Sequence, residues 1–335
     1  MKKNKIISFL AILTATSLVL YFSLKDDFNT ILNTILSINI WWLIIAFLLL
    51  FIYYFLKSIV TYSFTKKFNK EYKLKDALAL TLKTNFFHAI TPFSTGGQPY
   101  EIYSLSKNVK VTDAVSISIE CFIVYQIALV LLGVIAVISN SYFHILGNNI
   151  LKYLVTLGFI INFLVIVVLF GITFSKKTDK TIVDFIINTL SKLRLVRKKE
   201  TLKEKFHNYL LDFNKGSEML FKDKFSFFIM ILLEFFALIS LYLVPFALFC
   251  GIGIYSINSL TCILIMAYVM LIGSFVPIPG GTGGLEYGFI TFFGMVIKGS
   301  SLNAIMLLWR FITYYFGMIL GAIILNFKKE KTKWE

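Results

Sequence analysis

Charge is scarce in this chain. Asp, Glu, Lys and Arg make up 15% of its 335 residues, while hydrophobic residues make up 58% and mean hydropathy is +0.79. An ordinary soluble domain carries about 25% charged residues. Polar surface cannot cover such an apolar excess, so a soluble enzyme and a disordered regulator are both excluded. Cysteine is scarce too. Cys121, Cys250 and Cys262 lie in apolar runs without paired spacing, and they read as small core hydrophobes, not as disulfides or zinc ligands. His88, His144 and His207 are scattered and give no metal-binding pattern. Catalytic signatures are missing: there is no Gly-x-Ser-x-Gly, no His-Glu-x-x-His, no dinucleotide fingerprint and no Walker loop. No catalytic residue, metal or cofactor is expected.

What is present is a series of long uncharged runs. Ile6 to Leu24, Ile38 to Leu56 and Tyr153 to Phe174 contain no charge, and each approaches the roughly 20 residues a spanning helix needs. Val115 to Ile138 carries one Glu, residues 225–250 carry Glu234, and Leu302 to Phe327 carries Arg310. Lys2, Lys3 and Lys5 before the first run would also suit a signal peptide. The run is long for one and no Ala-x-Ala site ends it, so an uncleaved first span is expected. Trp41, Trp42, Tyr53 and Tyr54 stand at the ends of the second run, where interfacial aromatics belong.

The chain carries 33 basic and 18 acidic residues, a net charge of +15. The basic residues fall between the apolar runs, so the surplus is a topology signal and not a nucleic-acid surface. The N-terminus has three Lys or Arg, residues 57–76 six, residues 175–224 thirteen and the tail from Lys328 four; residues 25–37, 139–152 and 250–257 have one, one and none. The positive-inside rule puts the first set and both termini in the cytoplasm. The tail agrees only if residues 255–298 enter from outside and return there. Residues 77–106, with Lys83, Asn85, His88 and Glu101, are too polar to cross and return to the inside.

Two Gly- and Pro-rich segments fall at the tips of these hairpins, Thr91 to Glu101 and Pro277 to Glu286. In each, a Pro (Pro92, Pro277) precedes a Glu (Glu101, Glu286) by nine residues, with a Gly (Gly96, Gly281) four residues after the Pro. Spans flank both hairpins in opposite orientation, the pattern of inverted-repeat transporters with a substrate site between the repeats. The expected fold is a single integral membrane domain over residues 1–335. It is an all-α polytopic protein of about six full spans plus two re-entrant helical hairpins, in an inverted repeat with halves at about 38–174 and 225–327. The basic insertion at about 175–224 reads either as amphipathic helices on the cytoplasmic membrane surface or as a charged connector.

Ionisable residues inside spans cost about 2.5–3.5 kcal/mol each on insertion scales and need a reason. Glu120 and Glu234 are intramembrane charges of this kind. Arg310 either pairs with a Glu or binds an anionic headgroup. Gly283 and Gly284 either permit a tight membrane turn or offer backbone N–H groups to a phosphate at a helix start. Glu286 suits a helix cap, an Arg310 partner, a cation ligand or a proton carrier, and Glu101 beside Gly96 and Gly97 is equally open.

The arrangement Pro92, Gly96, Gly97, Pro99, Glu101, Tyr103 resembles the first signature of a large membrane family. Pro277-Ile278-Pro279-Gly280-Gly281-Thr282-Gly283-Gly284-Leu285-Glu286 with Trp309-Arg310-Phe311 resembles the second. The family is the transmembrane region of lysylphosphatidylglycerol synthase, also called flippase-like or UPF0104, and the similarity covers roughly residues 5–327. The resemblance implies handling of a membrane phospholipid of the phosphatidylglycerol or lysyl-phosphatidylglycerol class in a bacterial plasma membrane. It implies a headgroup site near Gly96, Gly97, Glu101, Gly283, Gly284, Glu286 and Arg310. Bifunctional members add a cytosolic synthase domain; with the sequence ending at Glu335, that activity is not expected here. A lipid translocase leads. Membrane support for a separate synthase and a non-transporting partner subunit remain alternatives, and a homo-oligomer is open.

Overall fold

The computed structural model describes residues 28–143, 150–174, 214–219, 221–273, 276, 278–297 and 301–327. The first expected span, Pro277, His144, His207, most of the basic insertion and the basic tail lie outside these residues. Among the described residues the regular structure is helical, with no strand. The chain is an all-α polytopic membrane protein. In order come α1 (Phe28–Leu36), α2 (Ile40–Phe68), α3 (Leu74–Ala89), α4 (Gly97–Leu105), α5 (Val111–Phe143) and α6 (Ile150–Phe174). After a short helical segment at 214–219 follow α7 (Lys224–Tyr242), α8 (Val244–Gly251), α9 (Ser259–Gly273), α10 (Gly284–Phe293), α11 (Ser301–Arg310) and α12 (Gly317–Phe327).

Among the described residues five stretches are long and apolar enough to cross a membrane: Ile40–Phe68, Val111–Asn140, Lys152–Gly171, Lys224–Gly251 and Ser301–Asn326. They match five of the six expected spans. Local chemistry sets their ends. Asn39 Oδ1 accepts from the Trp41 N–H at 2.9 Å to start α2, and Lys66 and Lys67 lie in its last turn, where the helix dipole favours cations. Asp223 caps α7 in the same way, accepting from the Ser226 N–H at 3.0 Å. Pro245 lacks the N–H that would continue α7, and the chain restarts there as α8.

The second span runs further than its uncharged stretch. Helix α2 continues past Leu56 to Phe68. It can do so because Ser58 and Thr65 return their hydroxyls to carbonyls four residues back, at 2.5 and 2.7 Å, so the polar side chains are satisfied within the helix. Tyr53 and Tyr54, expected as interfacial anchors, therefore sit in mid-helix, and Tyr54 is buried. Lys57 lies inside the helix and not in a loop.

Both hairpins form. In the first, α3 and α4 flank a 3-10 turn at Pro92–Ser94; in the second, α9 and α10 flank a 3-10 turn at Pro279–Gly281. Helices α3 and α9, of 16 and 15 residues, are shorter than the roughly 20 a crossing requires. The two turns touch each other. Helix α12 lies against α3 through Gly317 and Gly321: a Cβ at Gly317 would stand 2.8 Å from Asn85 Nδ2, and one at Gly321 2.4 Å from the Leu82 carbonyl oxygen. Small residues four apart are the usual device for close helix contact in lipid. The main core stacks Phe289 on Trp309 at 4.8 Å and brings Phe249 to Phe293 at 5.2 Å, joining α8, α10 and α11. Ile44, Leu48, Phe51, Ile52 and Phe55 form an exposed apolar stripe along α2, the face that meets acyl chains.

Candidate functional site

A cavity of about 550 Å³ opens beneath the two turns, between α2, α3, α5 and α7. Ser94, Thr95 and Gln98 of the first hairpin and Gly280, Gly281 and Leu285 of the second help to line it. Its chemistry is unusual for the interior of an apolar bundle. Lys57 Nζ lies 3.2 Å from Glu234 Oε1, with Glu234 2% exposed. The Lys57 ammonium also sits 4.8 Å from the Tyr125 ring centroid and 5.8 Å from that of Tyr53, positions where aromatic faces favour a cation. Glu101 accepts from the Ser118 hydroxyl at 2.7 Å. Among the described residues the cavity thus holds two carboxylates against one ammonium. His88, at its wall, donates from Nδ1 to the Ser94 carbonyl oxygen, and its ring packs where a Cβ at Gly97 would be.

The tips are built differently. At the second, Arg310 Nε stands 2.7 Å from Glu286 Oε1, an ion contact without hydrogen-bond alignment, and Arg310 Nη2 donates to the Gly280 carbonyl oxygen at 3.1 Å. The Gly283 N–H donates to Glu286 Oε2 at 2.6 Å, so this carboxylate caps α10. Arg310 and Glu286 are both buried, and the Arg310 guanidinium lies 4.4 Å from the Tyr314 ring. The turn after Arg310, Phe311–Phe316, is π-helical, a form often found at functional positions. Gly283, Gly284, Glu286 and Arg310 do not contribute to the cavity lining. At the first tip, the Gly96 N–H donates to Thr91 Oγ1 at 2.8 Å, and Glu101 faces the cavity. Of the other intramembrane charges, Glu234 belongs to the cavity and Glu120 does not.

The geometry also corrects the register between the two segments. Pro92 corresponds to Pro279 and not to Pro277. The Thr95 and Thr282 hydroxyls donate to the carbonyls of Pro92 and Pro279, at 3.0 and 2.9 Å. The Ser94 and Gly281 N–H groups donate to Thr91 and Ile278 at 3.1 and 2.9 Å. The shared sequence is therefore Pro-x-x-Thr-Gly-Gly-x-x-Tyr, over 92–100 and 279–287. In that register Glu101 falls opposite Gly288 and Glu286 opposite Pro99, so the two glutamates are not equivalent.

Lys57, His88, Tyr53 and Tyr125 were not anticipated at the site. Lys57 ends its uncharged run and reads as a loop charge. The signal for it was Ser58, Thr61 and Thr65 at helical spacing, a polar face continuing beyond the run. Cys121, read as a core residue, lines the cavity; Cys250 and Cys262 are buried in the core.

The family model described as the lysylphosphatidylglycerol synthase TM region matches residues 7–321. A UPF0104 membrane protein of Archaeoglobus fulgidus is 23% identical over 306 residues, covering 87% of this chain and 88% of the relative. No solved structure matches. The chain belongs to the lysylphosphatidylglycerol synthase transmembrane-region family.

Proposed function

We propose that this member of the family is a lipid translocase, moving an anionic or aminoacylated phospholipid, or a related lipid phosphate, between leaflets. The observation that carries the reading is a cavity with Lys57, Glu101 and Glu234 enclosed by apolar helices beneath the two turns. The headgroup enters the cavity while the acyl chains stay in lipid. Lys57 receives the phosphate. Glu101 and Glu234 receive a headgroup ammonium, which Tyr53 and Tyr125 flank. In this reading Arg310 and Glu286 position the second tip, and Gly96, Gly97, Gly283 and Gly284 let the chain turn. The two hairpins act as the matching parts of an inverted repeat, in a bacterial plasma membrane with both termini cytoplasmic.

Leaflet exchange of labelled lipids in proteoliposomes tests this. The panel holds phosphatidylglycerol, lysyl-phosphatidylglycerol and a polyprenyl phosphate. Selective exchange is expected, and Glu101→Gln and Lys57→Met should each slow it by at least about tenfold, equivalent to about 1.4 kcal/mol. Exchange unchanged in both variants would overturn the cavity as the path. The name of the matched family favours a second reading, membrane support for aminoacyl-phosphatidylglycerol synthesis by a separate synthase. No exchange of any lipid by folded protein, together with a co-purifying synthase, would decide for it.

A further inference from the structure

Helix α5 has two polar faces. Ser118, Cys121, Phe122 and Tyr125 turn to the cavity. Asp113, Ser116 and Glu120, at i, i+3 and i+7, lie on the opposite face, and none of them lines that cavity. There the segment 214–219 closes over α5. The approach is tight because residue 216 is glycine: a Cβ at Gly216 would stand 2.6 Å from Ser116 Oγ and 3.8 Å from Asp113 Oδ1. Glu120 is fully buried, and among the described residues neither of its carboxylate oxygens has a partner in full hydrogen-bond geometry. The Ser217 hydroxyl interacts with this carboxylate from outside full hydrogen-bond geometry. Ser217 is also fully buried, and among the described residues its oxygen has no other hydrogen-bond partner.

Bare buried acceptors are rare in native proteins, and each one asks for an explanation such as an ion or water. A carboxylate left alone in an apolar bundle is costly. The residues here supply oxygen only: two carboxylate oxygens, the Ser217 hydroxyl and, one helical turn before Glu120, the Ser116 hydroxyl. Oxygen donors of this kind suit hard cations, and neither thiolate nor imidazole joins them to favour a softer metal. A single carboxylate balances a single positive charge, whereas a divalent ion would bring net charge into the bundle. We infer that Glu120, Ser217 and Ser116 form a binding site for a small monovalent cation of the sodium class, outside the headgroup cavity. The inference stands apart from the translocase reading, because it concerns ion occupancy and no lipid.

The test is thermal unfolding of the purified full chain in detergent, in sodium chloride against choline chloride at equal ionic strength, with binding of radioactive sodium measured alongside. Sodium should raise the melting temperature saturably, with one ion bound per chain and a weaker response to potassium. Glu120→Gln should remove the response. Ser217→Ala should raise the half-saturating sodium concentration several-fold, and it serves as the deciding variant if Glu120→Gln does not fold. Identical melting in the two salts, or a sodium response that survives both substitutions, overturns the proposal. Stabilisation that follows pH and ignores sodium also overturns it, and assigns the site to a proton.

Discussion

The two hairpin tips use one backbone turn and opposite chemistry. At the first, Phe93 and Ser94 hold φ of 52° and 54°, left-handed values that side chains adopt at a cost. At the second, the equivalent positions are Gly280 and Gly281, with φ of 64° and 63°, where glycine adopts them freely. The second tip is also pinned, by Arg310 to the Gly280 carbonyl and by Glu286 to Gly283. The first has no such ion pair: its braces are neutral, His88 to the Ser94 carbonyl and Thr91 to the Gly96 N–H, while position 99, opposite Glu286, is a proline and Glu101 turns to the cavity. A relaxed, pinned tip therefore faces a strained one whose polar groups line the cavity. Where backbone strain collects beside polar cavity groups, the moving or recognising part is the natural inference.

The contrast breaks most easily at the pin. Removing one partner of a buried pair costs about 3–5 kcal/mol, because the other charge stays buried and unpaired. Arg310→Met should show a loss of that order in the unfolding free energy of the protein in detergent. Glu101→Gln, at the cavity wall, should cost under about 1 kcal/mol, the range of ordinary hydrogen-bond changes. Equal losses in the two variants would mean that the first tip is pinned as firmly as the second. A smaller effect is expected from Gly280→Ala. Its Cβ would stand 2.1 Å from the Tyr314 ring and its φ is left-handed, so a loss of about 1–3 kcal/mol should appear in the same melts. An unchanged melt would remove glycine as the reason the second tip is relaxed.

Much of the architecture was legible in sequence, because lipid makes few demands and makes them strictly. Apolar runs with at most one charge located the five spans of the described residues, and the two Gly- and Pro-rich segments located both turns. The Arg310–Glu286 contact was one of the readings left open for these residues, since a lone intramembrane Arg needs an anion. The cavity was not legible. Lys57 looked like a loop charge because a run of apolar residues ends one position before it, and run length cannot tell a helix end from a buried polar face. Its partner Glu234 lies 177 positions away, a contact that only tertiary packing makes. The tip register failed for a different reason. Matching prolines and glutamates by spacing favoured Pro277, but hydrogen bonds from Thr95 and Thr282 fix the turn, and a threonine hydroxyl gives no periodic signal.

The finest test of the comparison is to move glycine from one tip to the other. In Ser94→Gly the left-handed strain disappears, worth about 1–2 kcal/mol. Glycine also loosens the unfolded chain, which costs about 0.4–1 kcal/mol. The contact from His88 survives, because it ends on the carbonyl oxygen of residue 94 and not on the side chain. The terms oppose each other, and the expected net change is a stabilisation between zero and about 1.5 kcal/mol, read as a small rise in melting temperature. A loss of more than about 2 kcal/mol would exceed what backbone strain and chain entropy produce together. It would show that the Ser94 side chain itself braces the first tip, beside the contacts from His88 and Thr91.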